Sequence, residues 1–467
     1  MPRHTGIVVT CAAAGFTTLV DSAVVTIGVP SIRESLDAGT ADIQWILAGY
    51  SLTFGLALVP AGRLGDVVGR RRLFLVGIAV FAVMGVVGAL AAAPWMVILA
   101  RLGQGLGGGV ISSQVLGAIS GNFDGDRRVR ALAAYSATGA AAGLVGPLLG
   151  GTLLGLAPLD LGWRYLLVLN VPFALVTLVL GVRYLPRDHA PRGSAGVDLV
   201  GLGLLAAATL SVMLPIVSSI PAIVTLPLAA VLAGAFWWWE RRYAAAGGVP
   251  VLLPALTRSR GYMLGVSIAL FWFGSILAIN AVVALYLIEG VGLPALQAAF
   301  VLSGSSIAMA VSSAFGWRVV ARYGRVVVGA AVVTEIAVVL GYLAAVTALS
   351  TETFSRSPVT LGLFVALAVL SGTASGFVDA PNRALTLEHS PAGAHGVAAG
   401  FLQLSQRLSA TVSLAGVSGI YLGMLSRDAD NYGRAVGTGL AVCLVLLSLS
   451  FVCAELDRRN RRTVDLR

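Results

Sequence analysis

Lysine is absent from this 467-residue chain, and charge of either sign is scarce, at 11% of residues. A soluble globular domain carries about 25% charged residues, so most of the chain must sit in lipid. Cysteine is rarer still. Cys11, Cys443 and Cys453 fall inside apolar runs, none at metal or redox spacing, and read as small buried hydrophobes. The four histidines, His4, His189, His389 and His395, lie in segments expected to face the cytoplasm. No Walker loop, metal-ligand cluster or Ser-His-Asp arrangement stands out. No catalytic residue, metal or cofactor is therefore expected. The net charge of +10 is carried wholly by arginine. Those arginines are dispersed over many short loops, which excludes a nucleic-acid-binding domain.

What is abundant is apolar length. The chain is 57% hydrophobic, with a mean hydropathy of +0.91. A membrane helix needs about 20 mostly apolar residues. Candidate spans cover residues 7–30, 43–62, 73–93, 95–119, 131–156, 165–185, 197–218, 221–239, 261–288, 295–317, 326–348, 358–379, 396–422 and 433–454. The first run is too long for a signal-peptide core and reads as an uncleaved span. Pro215, Pro221 and Pro227 interrupt the 197–239 pair, but membrane helices tolerate proline.

Arginine placement supports this reading. With a cytoplasmic N-terminus, Arg63, Arg70, Arg71, Arg72 and Arg383 fall inside, with the arginines of 127–130, 183–192, 241–260, 318–325 and 458–467. Only Arg33, Arg164, Arg356, Arg427 and Arg434 fall outside. One span more or fewer spoils the bias downstream. Trp45, Trp95 and Trp163 mark outer ends, and Trp237, Trp238 and Trp239 an inner one. The expected organisation is a six-helix bundle over 1–190, a two-helix insertion over 191–260, and a second six-helix bundle with a basic cytoplasmic tail over 261–467. A weak repeat agrees: aligning Gly324 with Gly69 puts Arg325 on Arg70 and Ala321 on Asp66. Duplicated halves are a transporter architecture, with the site at the membrane midplane.

The stretch GRLGDVVGRRR, residues 62–72, is a charged island between two apolar runs. Its glycines permit a tight turn. Asp66 with Arg70, Arg71 and Arg72 is suited to locking helix ends together; a simple topogenic loop is the plainer alternative. RLGQGLGGG opens at Arg101, and GAAAGLVGPLLGG carries Gly139, Gly143, Gly146, Pro147, Gly150 and Gly151. Small residues at such spacing allow close helix approach.

At these motifs the chain resembles the major facilitator superfamily, and within it the fourteen-span drug:proton antiporters. Gly62, Asp66, Gly69, Arg70 and Arg71 match the loop signature, and Arg101, Gln104 and Gly105 the fourth-span motif. The segment 139–151 resembles the antiporter motif. QWILAGYSL (44–52) and WRYLLVLNVP (163–172) resemble the fourteen-span subfamily. The resemblance implies an all-α membrane fold of 6+2+6 helices and proton-driven efflux of amphipathic, drug-like compounds or antibiotics. It implies a multi-pass monomer in the plasma membrane, both termini cytoplasmic, whose partners are a small-molecule substrate, protons and the lipid bilayer. Import or uniport of a small metabolite, and lipid translocation, remain as alternatives.

Asp21 is the central residue. A charged carboxylate near mid-membrane costs on the order of 3 kcal/mol or more, so it must pair, take up a proton or line a wet cavity. The resemblance puts a first-span acid here, although Ala23 and Thr26 depart from the family pattern. Arg101 is its expected partner. At 1.5 Å per residue the two lie about 13 and 9 Å below the outer face. Snorkelling to the interface is the alternative for Arg101. Glu335 is a further proton site or ion-pair partner. Asp379 and Glu289 lie near span ends, where hydration suffices. Tyr50, Gln104, Trp272, Asn280, Gln403 and Arg407 are expected to line a substrate cavity, with Phe271 and Met309 beside them, though core packing explains the apolar ones equally.

Overall fold

A computed structural model describes residues 3–156, 161–187, 198–217, 220–248, 250–252, 254–293, 295–348, 358–390, 395–425 and 431–465. Described residues form helices because lipid offers no partner for an unpaired backbone amide or carbonyl. In order these are α1 (Arg3–Leu36), α2 (Thr40–Val68), α3 (Arg70–Ala89), α4 (Pro94–Asn122), α5 (Gly125–Leu156), α6 (Gly162–Val168), α7 (Asn170–Tyr184), α8 (Leu199–Val217) and α9 (Ala222–Ala245). Then come α10 (Pro254–Arg258), α11 (Arg260–Leu285) with a π-turn at Tyr286–Gly290, α12 (Ala295–Tyr323), α13 (Val326–Ala348), α14 (Pro358–Leu387), α15 (His395–Leu425) and α16 (Tyr432–Asp465). Among the described residues nine helices are long and apolar enough to cross a membrane.

Helix ends follow local chemistry. The Asp42 carboxylate accepts the Gly39 amide at 3.0 Å, closing the start of α2. Pro94 opens α4, where its missing N–H costs nothing. A single residue, Gly69 at φ 113°, turns α2 into α3, and Gly324 at φ 55° turns α12 toward α13. Side-chain-bearing residues rarely adopt such angles. The two glycines aligned by sequence thus both sit at positive φ between consecutive helices.

The sixth apolar run is one candidate span, Gly162–Tyr184, close to the expected 165–185, and is built of α6 and α7. They meet at Leu169. Pro172 has no N–H to give to the Val168 carbonyl, so the ladder is interrupted there. Trp163, expected at the interface, is wholly buried and packs with Val25, Ile32, Ile46 and Leu167.

The chain divides into two compact units. Unit 1 comprises Met1–Ala131, Ala141–Ser259 and Ser390–Leu404; unit 2 comprises Leu132–Ala140, Arg260–His389 and Ser405–Arg467. In unit 1, α4 packs on both α2 and α3, and α8 packs on α9 and α2. Glycines make the α4 contacts possible. A Cβ on Gly109 would sit 2.8 Å from the Ala57 Cβ, and one on Gly107 would sit 2.9 Å from the Phe81 nitrogen. In unit 2, α11 packs on α16, and α14 on α12 and α13. Their core joins Trp272, Ile279, Tyr286, Tyr342 and Phe364.

Candidate functional site

Three side chains from two helices of unit 1 converge on one buried carboxylate, and a tyrosine packs behind them. Asp21 of α1 is fully buried and Arg101 of α4 is 2% exposed. Arg101 Nη1 donates to Asp21 Oδ2 at 2.5 Å. On the other oxygen, Oδ1 accepts Asn170 Nδ2 at 2.5 Å and Gln104 Nε2 at 3.4 Å. Gln104 Oε1 in turn accepts Arg101 Nη1 at 2.9 Å. The guanidinium also donates from Nε to the Ile46 carbonyl at 3.3 Å and lies 4.4 Å from the centre of the Tyr50 ring. Tyr50 donates its hydroxyl to the Thr18 carbonyl at 2.9 Å.

The local causes are plain. Arg101 and Gln104 are three residues apart on one face of α4. Asn170 is the first residue of α7, next to the junction at Leu169. Its Oδ1 has no hydrogen-bond partner among the described residues. The arrangement is a desolvated ion pair with every carboxylate oxygen engaged. Such a pair holds together only while both charges persist: removing one leaves the other buried and uncompensated.

Sequence reasoning paired Asp21 with Arg101 and expected Gln104 and Tyr50 to line a substrate cavity; the structure brings all four side chains together. Arg101 points to Asp21 and does not snorkel outward. Asn170 was missed, although it lies within the WRYLLVLNVP segment; an asparagine inside an apolar run is itself the signal. The other expected cavity residues stand elsewhere. Gln403 accepts Ser112 Oγ at 3.0 Å, about two turns along α4 from Gln104. Trp272 is 1% exposed within the unit 2 core. Asn280 is exposed and Arg407 half-buried. Phe271 and Met309 are half-buried.

In the 62–72 segment, Arg70 donates to Asp66 Oδ1 from Nη2 at 2.8 Å and Nε at 3.1 Å, and from Nη1 to the Gly117 carbonyl. Arg71 Nη2 donates to the Val182 carbonyl at 2.5 Å. The arginines therefore tie the α2–α3 turn to α4 and α7. Gly62 is buried in α2. Helix α5 runs unbroken through the 139–151 segment. Cβ atoms on Gly143 and Gly151 would meet nothing within 4 Å among the described residues. Gly146 and Gly150 are buried and Gly139 half-buried; the side chain of Pro147 lies outside the described residues, as do those of Glu289 and Ala321.

Among the described residues unit 2 holds three more buried acids. Asp379, expected to be hydrated, is 5% exposed. It pairs with Arg383 at 2.9 Å and accepts Ser136 Oγ at 2.6 Å. Long helices carry α14 to Leu387, past the expected end of the span, so the acid lies inside the packing. Asp457 of α16 pairs with Arg325 at the α12–α13 turn. Arg325 also donates to Asn382 Oδ1 at 3.1 Å. Arg70 thus takes its acid from its own turn, whereas its counterpart Arg325 takes one from a distant helix. Glu335 of α13 accepts Ser371 Oγ at 2.9 Å.

The model of the Major Facilitator Superfamily matches residues 11–414. The chain belongs to that superfamily. It is 29% identical over 425 residues to a protein described as a probable actinorhodin transporter of Streptomyces coelicolor, covering 88% of this chain and 71% of that one. It is 38% identical over 212 residues to a cephamycin export protein of Amycolatopsis lactamdurans, covering 45% of this chain and 42% of that one. The human organic anion transporter MFSD10 shares the fold, with a TM-score of 0.70 at 14% identity over 97% of this chain and 100% of that one. This superfamily member is therefore an all-helical, multi-pass membrane transporter of small molecules and not an enzyme.

Proposed function

We propose that this transporter is a proton-driven exporter of amphipathic, antibiotic-like compounds, working by alternating access. The observation that carries the reading is the Asp21–Arg101 pair, fully buried and backed by Asn170 and Gln104. Arginine does not give up its proton at accessible pH. Asp21 is the member able to change charge. Proton uptake there cancels the carboxylate and leaves a lone buried guanidinium, which favours a different arrangement of α1, α4 and α7. Each proton entering through the full potential supplies about 2.3 kcal/mol per 100 mV. The export direction is supported by relatives named for export of cephamycin and tetracenomycin C. The same reading includes fourteen spans, a plasma-membrane location with both termini cytoplasmic, a monomer, and the 62–72 and 139–151 segments as gate and hinge.

Growth on a panel of antibiotics, with cells expressing the intact chain or Asp21→Asn, tests this. The intact chain is expected to raise resistance to at least one compound and Asp21→Asn to abolish the gain. Equal resistance from both removes Asp21 from coupling. Uptake into inside-out vesicles under an imposed pH gradient then checks direction; accumulation only in right-side-out vesicles marks an importer.

A further inference from the structure

Unit 2 contains a buried carboxyl group to which no cation is assigned. Glu335 on α13 has no exposed surface. Ser371 of α14 donates one hydrogen bond to its Oε1 at 2.9 Å, and its Oε2 has no hydrogen-bond partner among the described residues. The titratable groups within electrostatic reach are Tyr342, two turns along α13, and Cys443 of α16, neither of them cationic. The arginines that pair with acids in this unit's packing are occupied elsewhere: Arg383 with Asp379 and Arg325 with Asp457. Glu335 forms no ion pair among the described residues.

A charged carboxylate with one bare oxygen, in an apolar core, is strongly disfavoured. One hydroxyl donor does not offset the lost hydration. Something positive must therefore reside on Oε2. A metal ion needs several ligands, and no cluster of three or more potential ligand side chains exists among the described residues. A proton needs one oxygen. We propose that Glu335 is a second, exchangeable proton-binding site of this transporter, in unit 2 and independent of Asp21. Its proton bonds to Oε2 while Ser371 holds Oε1, and it returns to water when that packing loosens. The site's use in transport rests on the proton-driven reading; the presence of the proton does not.

Infrared spectroscopy of the purified protein in lipid tests this without a substrate. Wild type is expected to show a carboxylic-acid C=O stretching band that Glu335→Gln lacks and that shifts down in frequency on transfer to D2O. Identical acid-region spectra for the two proteins overturn the proposal, because Glu335 is then ionised. A band that ignores prolonged D2O exposure overturns it too, because the proton is then locked. If Glu335→Gln does not fold, Ser371→Ala serves: loss of the hydrogen bond to the carbonyl oxygen raises the band frequency, and an unmoved band overturns the assignment. Export that persists in Asp21→Asn sinks the coupling role of Asp21 but leaves these spectral outcomes standing.

Discussion

Asp21 survives in the membrane because its carboxylate oxygens are engaged by three side chains. Arg101 supplies charge, while Asn170 and Gln104 supply neutral donors. Their roles separate experimentally. Asn170→Ala removes one donor and keeps the ion pair, so it costs about 1–3 kcal/mol of stability. A lowered unfolding midpoint is expected in a thermal scan of the purified protein, with weakened export. Arg101→Ala leaves the acid alone and is expected to cost more, about 3–5 kcal/mol. If Asn170→Ala unfolds no earlier than wild type, its bond to Asp21 is not a stabilising one.

At the scale of elements, α4 decides how unit 1 assembles. Its glycines let α2 and α3 approach to backbone distance on two faces. Gly109→Val places methyl groups where the Ala57 side chain and the Phe54 backbone already lie. Loss of the monodisperse peak on size-exclusion chromatography after detergent extraction is expected. Gly143→Ala on α5 meets nothing among the described residues and is expected to keep that peak. Equal behaviour of the two variants would contradict this account of the packing. The turns obey the same logic: any side chain at Gly69 forces a strained angle costing about 1–3 kcal/mol.

For the whole molecule, arginine distribution predicts which ends face the cytoplasm. In a background lacking Cys11, Cys443 and Cys453, a cysteine replacing exposed Glu34 is expected to react with a membrane-impermeant maleimide in intact cells. One replacing exposed Asp126 is expected to react only after the membrane is opened. The reverse pattern would invert the topology. The inserted helix α8 packs on α2 and α9, so the insertion is part of unit 1 and not a free hairpin.

By itself the sequence determined where the chain is apolar, where it turns and where it carries charge. Those are local properties, set by run length, by Gly69 and Gly324 and by the arginines, and they suffice for an all-helical transporter. They also pointed to Asp21 and Arg101, because an acid in an apolar run has few ways to persist. Only the tertiary structure decided who meets whom. Asn170 reaches Asp21 from 149 residues away because α7 packs on α1. Arg325 finds Asp457 on the last helix, and Asp379 and Trp163 are covered rather than wet. Partner choice across such separations depends on how helices stack and where they bend, and no local pattern of residues encodes that.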